Sequence, residues 1–349
     1  MDVPADLLAA KAALRAQYLR PVAARAAVRV GFETDIRVAV ATAHANVHAV
    51  GIGRKIVAGV RTETRAVRLY VTQKIAPSLL PPADRIPERI DGVPTDVIES
   101  PAAFLMHPPA AAGPECTGRR QLRQRPLMAG VSAAHEGVTV GTVSCFCRST
   151  RPGDESEAVF VLGNNHVFAD VDQAFAGDPI LQPGPVDGGA QEDAVATLHR
   201  YVPLALGGAV ANTVDAAIAR LLPEVEFRSE ICGIGTVDAV GSAEEELRVR
   251  KHGRTTGYTE GEVTDALYDA VIGMDHNDPS VVALFTNQLR IEARPPYPAF
   301  ALGGDSGSLV VHGTRNEAVG LSFAGPPGGS YGVANPIAGV LSELEIALL

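Results

Sequence analysis

The sequence contains no tryptophan, few other aromatic residues, little cysteine and no excess of positive charge. Its four cysteines are few for 349 residues and lack the spacing of metal ligands, so the sequence predicts no metal site. The formal net charge of −10 disfavours a general nucleic-acid binder or a protein that binds anionic membranes. No run of about 18 apolar residues is present, so the sequence predicts no transmembrane helix.

The beginning of the chain does not follow the charged-then-apolar order of a secretion signal. The charged residues that interrupt it are Asp2, Asp6, Lys11 and Arg15. Cys145 and Cys147 would lie on one face of a strand, where each is expected to be a small buried hydrophobe. From these features we expect a cytoplasmic protein.

Changes in composition along the chain predict three regions. Residues 1–102 read as a small α+β module, with helix in 5–30, a hairpin in 47–75 that turns near 61–64, and a strand at PTDVIES. Residues 103–127 are rich in proline and arginine, and the run GRRQLRQR within them predicts a solvated linker.

Residues 128–349 alternate short β-like runs with turns of glycine, proline and aspartate, which favours an all-β barrel or sandwich. The last segment, IAGVLSELEIALL, has apolar residues at helical spacing and predicts a C-terminal helix over 337–349.

The stretch ALGGDSGSLVV, residues 301–311, allows two interpretations. It is either a tight polar turn or a shaped loop that presents Ser306 as a nucleophile. A serine nucleophile needs a general base and an anion that orients the base. His166 follows the apolar run VFVLG, and Asp215 begins another apolar run, so both are candidates. Each residue alone is a weak signal, but the chain order His, Asp, Ser distinguishes this set from α/β-hydrolases and subtilisins.

Five motifs in order resemble those of chymotrypsin-like (trypsin-fold) serine proteases. These are NNHV, VDAAIA, KHGRTTGYTEGEV, GDSG and the pair LSFAG and YGVANPI. The third motif is close to a segment of alpha-lytic protease and the streptogrisins. In layout the chain resembles bacterial trypsin-like proteins related to the plant narrow-leaf type, including the module GIGRKIV…LYVTQKI…GVPTDVIE.

The resemblance implies a mainly β fold, a chymotrypsin-like double six-stranded β-barrel, preceded by the small α+β module and followed by the helix. It implies a serine endopeptidase without cofactor or metal, in which His166 is the base, Asp215 orients it and Ser306 attacks. The N–H groups of Gly304 and Ser306 would form the oxyanion hole. Asp305 would turn inward, and the resemblance suggests Arg254 as its internal ion-pair partner.

The resemblance also places a specificity pocket. Phe300, six residues before the nucleophile, would lie at its base. The walls would include Ser322, Ala324, Gly325 and Gly332. No charge is present in this set, so we expect cleavage after small to medium apolar residues such as Ala, Val or Leu. The alternative is that Phe300 faces the barrel core and has no bearing on substrates.

Two other functions stay open at this stage. One is a trypsin-fold scaffold or interaction protein that cleaves little, and the other is an esterase, because a fold does not determine a function. The expected partner is a protein or peptide substrate, with no nucleic acid and no membrane. The N-terminal module could mediate homo-oligomer formation or gate the cleft, and the sequence does not choose between them.

Overall fold

The structure is a computed structural model that describes residues 3–19, 46–105, 120–275, 278 and 280–349. The chain divides into two compact units. Unit 1 comprises residues 1–104, 205–212 and 265–288, and unit 2 comprises residues 105–204, 213–264 and 289–349. Segments 205–212 and 265–288 therefore depart from the predicted division, which assigned all of 128–349 to one domain. The reason is that both segments pair with unit 1 strands or with each other.

The helices are α1 (Ala5–Tyr18), α2 (Asn165–Phe168) and α3 (Ile337–Leu344). Short 3₁₀ turns occupy Pro77–Leu79, Pro82–Asp84, Pro185–Asp187 and Gln191–Asp193. The strands, numbered in chain order, are β1 Val47–Val57, β2 Val60–Val71, β3 Arg89–Ile90, β4 Val93–Glu99, β5 Leu127–Ala129, β6 Ser132–His135, β7 Gly141–Thr142, β8 Phe146–Ser149, β9 Phe160–Gly163, β10 Pro179–Leu181, β11 Ala194–Tyr201, β12 Ala211–Asn212, β13 Ala217–Leu221, β14 Phe227–Ile231, β15 Ala239–Val240, β16 Arg248–Gly253, β17 Gly257–Gly273, β18 Val282–Ala293, β19 Leu309–His312, β20 Glu317–Ala324, β21 Tyr331–Pro336 and β22 Ile346–Leu348.

In the described residues of unit 1, helix α1 packs on a sheet. β17 pairs antiparallel with β1, β1 with β2, and β2 runs parallel to β4. Leu7 and Leu14 of α1 are buried in one apolar cluster with Val50 and Val67 of the sheet. The predicted hairpin and the strand at PTDVIES are confirmed, but the turn predicted near 61–64 is wrong. The chain turns at Ala58 and Gly59, which have φ of 50° and 80° and thus supply the left-handed pair that a two-residue hairpin needs.

Unit 2 contains a closed six-strand barrel in the order β6, β7–β8, β9, β13, β11, β10. Backbone hydrogen bonds between the β7–β8 connection and its two neighbours close the barrel, as in Gly130 N to Val143 O at 2.8 Å and Ser144 N to Leu162 O at 3.0 Å. The core holds alternate apolar residues of these strands, including Phe146 and Phe160. The prediction of a mainly β fold is confirmed.

A second sheet of unit 2 curls in the order β18, β21, β20, β19, β16, β17, and β17 pairs back with β18. The C-terminal helix is present, but the prediction over 337–349 is too long. α3 ends at Leu344, Glu345 takes a left-handed φ of 48°, and β22 then pairs with β8. The guanidinium of Arg200 donates from Nε to the Leu344 carbonyl at 3.0 Å, which satisfies the helix end.

One arginine of the predicted linker run is buried rather than solvated. Arg120 is 6% exposed, and it donates to the carbonyls of Arg254 at 2.9 Å and Thr255 at 3.1 Å. Residues 106–119 lie outside the described residues. None of the helices in the described ranges has the length and apolar character needed to cross a bilayer.

The cysteines separate into two kinds. Cys145 and Cys147 are free and buried, as predicted, and burial raises the pKa of the Cys145 thiol to about 12. Cys232 is disulfide-bonded. Because disulfides persist mainly in oxidising compartments, this bond gives no support to the cytoplasmic expectation, which stays a prediction.

Candidate active site

His166 and Asp215 meet at the end of the closed barrel in unit 2. Nδ1 of His166 lies 2.5 Å from Oδ2 of Asp215, and the His166 backbone N donates to Oδ1 at 3.2 Å. The Asp215 side chain is fully buried, and that of His166 is 9% exposed. Since a carboxylate only accepts, Nδ1 carries the proton, and Nε2 is left as an acceptor.

Two asparagines hold the aspartate segment. Asn164 Nδ2 donates to the Asp215 carbonyl at 2.7 Å, and the Asp215 N–H donates to Asn335 Oδ1 at 3.1 Å. Both asparagines have no exposed surface. They stand in the NNHV and YGVANPI motifs, but sequence reasoning gave them no role, because nothing local shows that they converge on one residue.

The loop around Ser306 contains two glycines in the left-handed region of backbone conformation. Gly304 and Gly307 have φ of 91° and 95°. A Cβ on Gly304 would lie 2.6 Å from Thr255 Oγ1, so a side chain does not fit there. Within the described ranges, the N–H groups of Gly304 and Ser306 have no protein acceptor, whereas Asp305 N donates to Leu302 O. Two donors of this loop are thus available for an oxyanion.

The nucleophile candidate is close to the histidine segment but does not bond to it. A Cβ on Gly141 would lie 2.4 Å from Val167 Cγ1 and 3.1 Å from Ser306 O, so both segments pack against the same glycine. Ser306 Oγ donates to the Phe323 carbonyl at 3.3 Å. Among the described residues, it makes no hydrogen bond to His166. Such bonds are often unmade before substrate binds.

The predicted ion pair between Asp305 and Arg254 is wrong. Asp305 turns inward as expected, but its cation is Lys251, with Nζ 3.1 Å from Oδ2 and both side chains fully buried. The donors to its carboxylate also include Thr255 N at 2.8 Å, Leu302 N at 2.9 Å and Thr256 Oγ1 at 2.7 Å. Burial raises the pKa of Asp305, but Lys251 and these donors outweigh burial and hold the pKa below its ordinary value.

Arg254 instead pairs with Asp187, a residue that sequence reasoning missed. Its Nε donates to Asp187 Oδ2 at 2.8 Å, and its Nη2 donates to Oδ1. Lys251 lies inside β16, whereas Arg254 lies in the turn between β16 and β17. The two cations therefore point to different acids, and only the folded turn decides which cation enters the interior.

Phe300 is fully buried beside the predicted pocket. A Cβ on Gly332 would lie 2.8 Å from its Cδ1, and a Cβ on Gly261 would lie 2.7 Å from its Cδ2. The ring therefore fills the space between these two glycines, against Lys251, whose Nζ is 5.8 Å from the ring centroid. The other predicted wall residues, Ser322, Ala324 and Gly325, are all buried. This position agrees with the interpretation in which Phe300 faces the core.

Comparisons with known proteins give matches in structure only. No family model matches the chain, and no curated protein matches it. Thermobifida fusca Protease A matches at 16% identity over 64% of this chain and 97% of that chain, with a TM-score of 0.44. A glutamic acid specific serine protease matches at 16% identity over 64% of this chain and 100% of that one, with a TM-score of 0.44. Cellulomonas bogoriensis chymotrypsin matches at 16% identity over 64% and 97%, with a TM-score of 0.42.

Each of these three matches is to a protease and covers 64% of this chain. The closed six-strand barrel and the curled second sheet are observed in unit 2, where the motif resemblance implied a double six-stranded β-barrel. At 16% identity the comparison concerns the fold alone.

Proposed function

We propose that this chain is a serine endopeptidase that hydrolyses peptide bonds through an acyl-enzyme. One observation supports this most directly. The buried His166–Asp215 pair lies next to a loop whose Gly304 and Ser306 N–H groups have no acceptor in the described part of the chain. A base, an orienting acid, a hydroxyl and two free donors are the parts that acyl transfer requires.

In the proposed mechanism, Ser306 turns from the Phe323 carbonyl toward His166. Nε2 of His166 takes the hydroxyl proton as Oγ attacks the peptide carbonyl, and Asp215 holds the imidazole in the required tautomer and stabilises its charged form. The N–H groups of Gly304 and Ser306 bind the oxyanion. His166 then gives the proton to the leaving amine, and water hydrolyses the ester by the same steps.

We propose substrates with small to medium apolar residues on the acyl side of the cleaved bond. Phe300 itself faces the core between Gly261 and Gly332, so it is the uncharged walls, and not this ring, that favour apolar side chains. The buried acid Asp305 is already paired with Lys251, and the predicted walls carry no charge. A substrate cation would be buried without a partner, which is costly.

The second candidate is a scaffold that keeps the fold but cleaves little. The hydrogen bond from Ser306 Oγ to the Phe323 carbonyl favours it, because the hydroxyl in that position is not activated by His166.

Two separate measurements test the proposal. One is labelling of the protein by a fluorophosphonate, and the other is mass spectrometry of a peptide library after incubation with unlabelled protein. Stoichiometric labelling of Ser306 together with peptide cleavage is expected. Labelling with ester hydrolysis but no peptide cleavage would indicate an esterase, and no labelling would indicate the scaffold.

The triad itself predicts a pattern among variants. Ser306→Ala and His166→Ala should each remove turnover, and the double variant should lose little more, because the residues act as a unit. Asp215→Asn should lower kcat by about 10⁴-fold through the wrong histidine tautomer. Steady-state kinetics checks this, and hydrolysis at the wild-type rate by Ser306→Ala would refute the assignment.

A further inference from the structure

We propose that the Asp187–Arg254 ion pair holds the oxyanion loop in place, which makes both residues positioning residues. This inference rests on the proposed function for its kinetic consequences but not for its structural ones. The pair is almost inaccessible, since the Arg254 side chain is 4% exposed and the Asp187 side chain is 7% exposed. Two parallel contacts from the planar guanidinium to one carboxylate fix its orientation as well as its distance.

From this fixed guanidinium, one path of hydrogen bonds leads to Gly304. Arg254 Nη1 donates to Thr255 Oγ1 at 3.1 Å, and Thr255 Oγ1 donates to the Gly303 carbonyl at 2.6 Å. The Gly303 carbonyl and the Gly304 N–H belong to one planar trans peptide group and point in opposite directions. Holding that carbonyl therefore aims the Gly304 N–H.

A second path runs through Thr142. The Arg254 N–H donates to Thr142 Oγ1 at 3.0 Å, and this hydroxyl donates to the Gly304 carbonyl at 2.8 Å. The Thr142 N–H donates to the Ser306 carbonyl at 2.7 Å. Through Thr142, the turn that begins at Arg254 is thus connected to the carbonyls of Gly304 and Ser306, the residues before and after Asp305.

The other donor of the hole does not depend on this pair. Ser308 Oγ donates to the Asp305 carbonyl at 2.5 Å, and that carbonyl shares its peptide group with the Ser306 N–H. Loss of the ion pair is therefore expected to misdirect one oxyanion donor and to leave the other in place.

Asp187 is itself anchored. It ends the 3₁₀ turn Pro185–Asp187, and Gly188 follows with φ of 89°. The Val186 N–H donates to the Thr139 carbonyl at 3.0 Å, in the segment that leads to Thr142. The carboxylate therefore comes from a fixed turn, while Val186 remains 54% exposed beside it.

Steady-state kinetics of Asp187→Asn is the first test. The substrate ground state does not use the oxyanion hole, so kcat should fall by about 10–100-fold while KM stays within about threefold. A peptidyl aldehyde, whose adduct carries the same oxyanion, should bind more weakly by about the factor by which kcat/KM falls. Arg254→Lys keeps the charge but loses the two parallel guanidinium contacts, and it should give the same result. It is the variant to measure if Asp187→Asn does not fold.

Asp154→Asn is the matched control. It removes the carboxylate of another arginine pair in unit 2, with Arg200, whose other contacts are to Ser149 and to the end of α3. Its kcat should match the wild type although its stability falls.

Amide hydrogen exchange in a Ser306→Ala background tests the inference without activity. The Asp305 and Gly307 amides, bonded to the Leu302 and Ser322 carbonyls, should exchange faster in Asp187→Asn than in Asp154→Asn. A wild-type protein that neither reacts with fluorophosphonate nor cleaves peptides would refute the proposed function. The exchange comparison would still show whether the Asp187–Arg254 pair holds the loop in place. Equal exchange in the two variants, with kcat for Asp187→Asn at the wild-type level, would overturn the inference.

Discussion

At the residue scale, the nucleophile loop is organised around one fully buried carboxylate. Asp305 has no exposed surface, and its oxygens accept from the ammonium of Lys251 and from N–H and hydroxyl donors of the 254–256 turn and of the loop itself. Burial lowers the pKa of Lys251, and the adjacent Asp305 carboxylate opposes this.

Lys251→Met should destabilise the protein by about 3–5 kcal/mol, because it leaves a buried carboxylate without its cation. The double variant Lys251→Met/Asp305→Asn should recover part of this loss, since it removes both charges. Urea unfolding of the three proteins measures the difference. A single variant as stable as the wild type would show that the hydrogen-bond donors suffice.

At the element scale, β16 carries a histidine that is neutral in the folded state. His252 Nδ1 lies 3.0 Å from the Gly130 carbonyl, so Nδ1 carries the proton, and Nε2 is buried without a partner among the described residues. Burial lowers the pKa of His252 to about 4, and Lys251 and Arg120 contribute in the same direction.

This strand should therefore lose stability in acid. The unfolded histidine binds a proton near pH 6.5 and the folded one near pH 4, so stability is complete above pH 6.5 and falls as the pH drops toward 4. A shift of this size amounts to about 3 kcal/mol. His252→Asn keeps a donor for the Gly130 carbonyl and does not titrate. Between pH 7 and pH 4.5, the urea midpoint of the wild type should fall further than that of His252→Asn. Equal decreases in the two proteins would contradict the prediction.

At the scale of the whole molecule, unit 1 contains a buried acid with the opposite pH dependence. Asp265 has no exposed surface, accepts from Tyr70 Oη at 3.1 Å and from Leu267 N at 2.9 Å, and lies over Gly51. A Cβ on Gly51 would lie 1.7 Å from its Oδ2. Burial raises the pKa of Asp265 to about 6, although Arg68 opposes this.

Asp265 should make unit 1 less stable as the pH rises. Its folded pKa lies above the ordinary value of 3.8, so the contribution is complete below that pH and is lost as the pH rises through about 6. Its size is about 3 kcal/mol. Because two units need not unfold together, amide exchange of β1, corrected for intrinsic rates, is the suitable measurement. Between pH 4.5 and 7 the wild type should lose protection there relative to Asp265→Asn, and equal changes would refute this.

Much of the fold and of the candidate site followed from local signals. Short β-like runs separated by turns of glycine, proline and aspartate predicted the strands of the barrel. Gly304 and Gly307 indicated a shaped turn, because left-handed φ excludes most side chains, and the motif resemblance interpreted this turn as the nucleophile loop. His166, Asp215 and Ser306 were selected by their place at the ends of such runs. The β-rich runs in 47–75 likewise predicted the hairpin of unit 1, although the turn predicted near 61–64 falls inside β2.

Only the tertiary structure decided how residues distant in sequence are paired. Asp305 pairs with Lys251, and Arg254 pairs with Asp187. Strand register and the turn between β16 and β17 determine which of the two cations enters the interior. The tertiary structure also assigned residues 265–288 to unit 1, because β17 continues past its pairing with β16 into a pairing with β1. The direction of Phe300 depends on two glycines, Gly261 and Gly332, that face it from other strands. Such contacts have no local signature, because they arise from packing between segments that are far apart in the chain.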